Sequence, residues 1–236
     1  MIGTIVNTGA IIAGSIAGAL LHRGVKERYQ QGLYNAIGLA SLAIGLNATL
    51  SHLPQSRQPV LFILSMALGA VIGTALDIDG RFRRLVERRF KTKNTESSSD
   101  PNPRLADGLS TAILLFCIGP LSMLGPVISA LNGDNTFLYT NATLDLLTSF
   151  LFASTYGIGI LLAAPVLFVW QGLFYLAARL SAHAIGDDLM AELLITGGLL
   201  ITASGLNLLR IKDCKALNLL PALLVPICWY IILSLF

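Results

Sequence analysis

What most constrains this chain is a succession of apolar runs, nearly free of charge: Ile2–Leu21, Gly32–Leu50, Pro59–Leu76, Leu109–Leu131, Phe137–Leu180, Leu189–Leu209 and Leu217–Phe236. A membrane-spanning helix needs about 20 mostly apolar residues. The runs are too long and too continuously apolar for the alternating pattern of a transmembrane barrel. They predict an all-α integral membrane protein with the lipid bilayer as its surroundings. Composition agrees. Charged residues make up 12% of the chain and hydrophobic ones 54%, with a mean hydropathy of +0.72. Soluble domains carry about 25% charged residues. What remains between the runs is too short for a soluble domain of useful size.

The strongly hydrophilic stretch, 77–107, divides the chain. Its first part, Arg81–Lys93, holds Arg81, Arg83, Arg84, Arg88, Arg89, Lys91 and Lys93. It reads as a short amphipathic helix on an anionic leaflet. Its second part, Glu96-Ser-Ser-Ser-Asp100-Pro-Asn-Pro, reads as a polar linker. Basic residues flank apolar runs throughout, so they set topology and do not suggest nucleic acid as a partner. Lys and Arg gather on the cytoplasmic side, which puts 77–107 inside. Alternation then puts His22–Gln31 inside, and Ser51–Gln58 and Asn132–Thr136 outside.

Phe137–Leu180 is too long for one span at 1.5 Å per residue. Tyr156-Gly157-Ile158-Gly159 marks a break near its middle. Read as one broken helix, the stretch gives seven spans, with 12 basic residues inside and 4 outside. Read as a hairpin, it gives eight spans, with 14 inside and 2 outside. The positive-inside rule favours eight spans with both termini outside. A turn with no polar residue around Gly157 also fits a re-entrant feature buried in protein.

Within this pattern a short motif recurs. Gly38…Gly45-Leu46-Asn47 returns as Gly198…Gly205-Leu206-Asn207, and a proline opens the apolar run after each copy, Pro59 and Pro221. The recurrence predicts two three-helix repeats, at 1–76 and 157–236, joined by a cytoplasmic segment, 77–107, and two connecting helices, 108–156. With eight spans the repeats are inverted; with seven they are parallel. Both symmetries occur in transporters, with solute sites at the repeat interface. Gly14-Ser15-x-x-Gly18 and Gly69-x-x-x-Gly73 fit close helix packing, compatible with a tight bundle or a homodimer.

Six polar residues are candidates for a transport path: Asp145, Asn47, Asn207, Asn7, Ser149 and Gln171. Asp145 stands a few residues into an apolar run, where a charge needs a partner or a wet cavity. It reads either as a proton or cation site, or as an interfacial residue capping a helix start. Its helix is the most polar of the set, with Thr140, Asn141, Thr143, Thr148, Ser149, Ser154 and Thr155. Asn47 and Asn207 read either as ion ligands or as helix stops. Asn7 and Gln171 read as solute contacts or as helix-helix glue, and Glu192 as interfacial. The cysteines Cys117, Cys214 and Cys228 form no metal-ligand spacing. His22, His52 and His183 fall in loops on both faces. No cofactor, metal site or enzyme constellation is expected. The start has no basic leader, so it reads as a retained helix.

The opening Ile2-Gly3-Thr4-Ile5-Val6-Asn7-Thr8-Gly9 through Ser15, the segment Leu68-Gly69-Ala70-Val71-Ile72-Gly73, Asp145 through Phe152-Ala153-Ser154-Thr155-Tyr156-Gly157-Ile158-Gly159, and Asn218-Leu-Leu-Pro221-Ala222-Leu223 carry a resemblance. Together with Gly198…Lys212 they resemble a bacterial inner-membrane family that includes YqgA and YdfK. The resemblance covers nearly the whole chain and implies a multi-pass plasma-membrane protein. It implies no activity, the family being a domain of unknown function. The residues themselves suggest a small transporter or channel for a solute or ion, its path lined by the polar fifth helix and the repeat interface. A scaffold or sensor subunit that recruits a partner through its basic cytoplasmic loop is the other reading.

Overall fold

The computed structural model describes residues 1–21, 25–90, 103–180 and 186–235. His22, His183 and most of the linker, with Lys91 and Lys93, lie outside them. The described residues form ten α-helices and contain no strand. The helices are α1 (Ile2–Leu20), α2 (Glu27–His52), α3 (Leu61–Ala75), α4 (Ile78–Phe90), α5 (Pro103–Ile118), α6 (Pro120–Asn132), α7 (Thr136–Tyr156), α8 (Ala163–Leu180), α9 (Asp187–Leu208) and α10 (Leu224–Leu235). Tighter 3-10 segments, Leu53–Gln55, Ile158–Leu162 and Ala216–Leu223, lead into α3, α8 and α10.

Proline and glycine set the breaks. Pro120 opens α6 at its first turn and holds Gly119 extended before it, so the run Leu109–Leu131 is two helices bent by 45°. Gly133 closes α6 in the left-handed conformation at φ 73°. The Asp134 carboxylate then accepts hydrogen bonds from the Thr136 N–H at 2.8 Å and its hydroxyl at 2.6 Å, starting α7. Gly157, at φ 93° and ψ −178°, ends α7 in a region that is essentially glycine-only.

Five described helical stretches are long and apolar enough to cross a membrane, or seven if each bent pair, α3 with α4 and α5 with α6, counts as one span. α7 has the length, 21 residues, but its polar face sets it apart from these.

The chain forms two compact units. The first comprises Met1–Leu33 and Arg81–Leu180. Within it α1 and α7 lie side by side and parallel: Gly3 faces Asn135 and Leu138, Gly14 faces Leu146 and Ser149, and Gly18 faces Phe150. α8 runs back the other way. Its Arg179 lies near the Met1 amine, which burial, and then the charge of Arg179, hold below its ordinary pKa. The chain therefore reverses at Gly157, as the hairpin reading expects. Ile11, Ile113, Phe116, Phe152, Ile160 and Leu167 are among the buried residues of its core. α4 joins this core through Val86 and through Phe82, whose ring lies 5.2 Å from that of Trp170. Phe82 and Val86 of this amphipathic helix pack on protein, while Leu85 on it is exposed.

The second unit comprises Tyr34–Gly80 and Ser181–Phe236. Its centre is the recurrent motif itself. A Cβ on Gly45 would meet Thr202 and the Gly198 carbonyl, and one on Gly205 would meet Leu42 and the Gly38 carbonyl. α2 and α9 thus cross antiparallel, Gly38 opposite Gly205 and Gly45 opposite Gly198. Exchanging the two copies maps each contact onto the other, the mark of a twofold, self-complementary packing. The Thr49 hydroxyl ties the crossing by sharing its hydrogen between the Gly45 carbonyl at 3.1 Å and the Ile195 carbonyl at 3.2 Å. Gly69 and Gly73 of α3 pack on Ala222 and Asn218, and the Asn218 side-chain oxygen accepts the Asp79 N–H at 2.8 Å. Each unit joins two separate stretches of the chain.

Candidate functional site

In the first unit, α1 presents Thr4, Asn7, Ile11 and Ser15 at three- and four-residue spacing, a single buried stripe. α7 answers with Asn141, Asp145, Thr148 and Ser149, all buried. Gly3, Gly14 and Gly18 remove the side chains that would hold the two helices apart. The result is a polar seam through an apolar interior.

Asp145 is the tenth residue of α7 and 6% exposed, so it neither caps the helix nor sits at its end. Its carboxyl accepts a hydrogen bond from the Asn141 amide at 2.8 Å. The Asn7 carboxamide stands beside it, with both its nitrogen and its oxygen buried and neither making a full hydrogen bond. The hydroxyls of Thr4 and Ser15 are buried and unpartnered too. This differs from Thr8, Thr49, Ser65 and Thr148, whose hydroxyls bond back to the carbonyl four residues earlier. α1, α6 and α7 carry no Lys, Arg or His. An isolated carboxylate in such a place needs a proton or a cation to neutralise it.

The other expected residues divide between the units. Ser149 lies on the seam, its hydroxyl donating to the Leu146 carbonyl at 3.0 Å. Gln171 of α8 is fully buried in the same unit. Its amide faces the Ser122 hydroxyl of α6 at 3.4 Å, and its carbonyl oxygen has no partner. Asn47 and Asn207 belong to the second unit and are exposed. They sit toward opposite ends of the α2–α9 crossing, where the glycines of the motif meet and the asparagines face out.

Glu192, expected at the interface, is 0% exposed. Ser56, from the loop after α2, contacts one of its carboxylate oxygens, and the other is unpartnered. The neighbouring Arg57 pairs with Asp188 at 3.1 Å. Thr196, one turn along α9, is also fully buried with its hydroxyl unpartnered. The sequence signal was available in the four-residue spacing Asp188, Glu192, Thr196, but the loop that buries it lies over 130 residues earlier.

Comparisons with known proteins reach the same level as this geometry. Residues 2–231 match the family described as "Protein of unknown function (DUF554)". The chain is 51% identical to the "Uncharacterized membrane protein YdfK" of Bacillus subtilis (strain 168), over 96% of this chain and 94% of that one. It is 28% identical to the "Uncharacterized protein YqgA" of Escherichia coli (strain K12), over 95% and 94%. No solved structure matches. With several helices able to cross a bilayer and a match spanning almost its whole length, the chain belongs to the DUF554 family of multi-pass membrane proteins, whose function is unknown.

Proposed function

We propose that the protein is a small transporter or channel of the bacterial plasma membrane, and that Asp145 carries a proton or small cation along the α1–α7 seam. The supporting observation is the buried Asp145 carboxyl, held by Asn141, with the buried Asn7 carboxamide beside it. A buried carboxyl beside a buried carboxamide without full hydrogen bonds has the composition of a transient ligand site. A merely structural carboxyl would be expected to be fully satisfied. The antiparallel pairing of the two motif copies supports inverted repeats, a common transporter design. In this reading 77–107 lies in the cytoplasm and both termini lie outside.

The test is flux into liposomes holding the purified protein, over a panel of alkali cations, protons and small organic solutes. Wild type is expected to move at least one of them, and Asp145→Asn to lower that flux at least about tenfold. Absence of flux for the whole panel, or unchanged flux in Asp145→Asn, would count against transport. That result would favour a scaffold instead, a reading supported by Arg81 and Arg88 on the exposed face of α4.

A further inference from the structure

We propose that Glu192, Thr196 and Ser56 form a binding site in the second unit for one alkali-metal cation. Glu192 and Thr196 are four residues apart on α9, both fully buried, and so share one helix face. Side chains lean toward the N-terminus of their helix, which carries the Thr196 hydroxyl toward the Glu192 carboxylate. Ser56, from the loop after α2, donates to Oε1 of the same carboxylate. The Ser56 oxygen accepts the Gln58 N–H at 3.0 Å and keeps one lone pair free to ligate. Two of the oxygens in this cluster, Glu192 Oε2 and Thr196 Oγ1, are buried without partners. A cation held between them serves both.

The charge balance sets the class of ion. Among the described side chains, the charged and titratable groups on the elements around this end of α9 are Arg57, Asp188, His52 at the end of α2, and Tyr230 of α10. Arg57 and Asp188 neutralise each other at 3.1 Å, and the His52 ring is engaged with the Ala48 carbonyl at 2.8 Å. Glu192 is left with one negative charge. One positive charge cancels it, and a divalent ion would leave a net charge buried among apolar side chains. A carboxylate with two hydroxyls is an all-oxygen set, suited to hard cations and not to transition metals.

The experiment uses the full chain in detergent, with choline chloride as the background salt. Thermal unfolding is followed as NaCl or KCl replaces choline at constant ionic strength. A ligand of the folded state raises Tm with a saturating dependence. Wild type and Asp145→Asn are expected to gain Tm with one or both alkali ions, and the effective ion names the occupant. Glu192→Gln is expected to abolish the dependence. Thr196→Val is expected to weaken the apparent affinity by about tenfold, the scale of one hydrogen-bond-like ligand to a charged centre. Thr196→Val also keeps the carboxylate, so it decides the matter if Glu192→Gln does not fold. An identical Tm for wild type in all three salts would overturn the proposal. So would a dependence that survives unchanged in Thr196→Val, or one lost in Asp145→Asn, which would assign the cation to the first unit.

Discussion

At the scale of single residues, two carboxylic acids are buried in separate units, and among the described residues neither has a basic partner. Asp145 has Asn141 and Asn7, and Glu192 has Ser56. Asn141 donates a hydrogen bond to Asp145 at 2.8 Å. Asn141→Leu is therefore expected to cost about 1–3 kcal/mol, the penalty of stranding a buried polar group. The same change in an Asp145→Leu background is expected to cost clearly less, because no acceptor remains to be stranded. Reversible unfolding in mixed detergent, read as a double-mutant cycle, checks this; additive costs would show that the pair does not interact. Asp145 was legible as a candidate because an acid in the middle of an apolar run is conspicuous. Glu192 was not, since an acid shortly after Asp187 and Asp188 has the pattern of a helix start at a water surface.

At the scale of elements, glycine stripes decide which helices touch. α1 carries Gly9 and Gly14 one turn and a half apart, on different faces. A Cβ on Gly14 would run into the Ser149 side chain and the Leu146 carbonyl of α7, whereas one on Gly9 would meet nothing. Gly14→Ala is expected to destabilise by about 1–3 kcal/mol through overpacking. Gly9→Ala is expected to be neutral or to stabilise by up to about 1 kcal/mol, through helix propensity. Thermal unfolding of the two variants against wild type makes the comparison, and equal effects would remove the close α1–α7 approach. The small-residue patterns were legible as packing surfaces. Their partners were not, because spacing along one helix says nothing about which other helix comes to it.

At the scale of the whole molecule, the reversal at Gly157 controls the topology. If α7 and α8 are separate spans, the number of crossings is even and the two termini share a side. Single cysteines placed at each end and in 91–102, on a background lacking Cys117, Cys214 and Cys228, are expected to divide accordingly. A membrane-impermeant maleimide added to intact cells should label both ends and spare the central segment. Labelling of one end alone would restore the seven-span reading. The grouping of α1 with α5–α8, and of α2 and α3 with α9 and α10, is a feature of this scale alone.

Sequence by itself determined the helical membrane class, the break at Gly157, the amphipathic α4 and the recurrence of the glycine motif. Each follows from local physics: backbone polar groups must be paired within a helix in hydrocarbon, glycine alone adopts the Gly157 conformation, and charge gathers where water is. Tertiary structure decided what the motif is for. Its glycines are the contact between its own two copies, while Asn47 and Asn207 face away. It also decided that Asp145 and Glu192 are both enclosed, each by groups far from it in the chain. Burial is a property of which surfaces meet, and in a chain where nearly every helix is apolar all round, hydropathy does not choose among them.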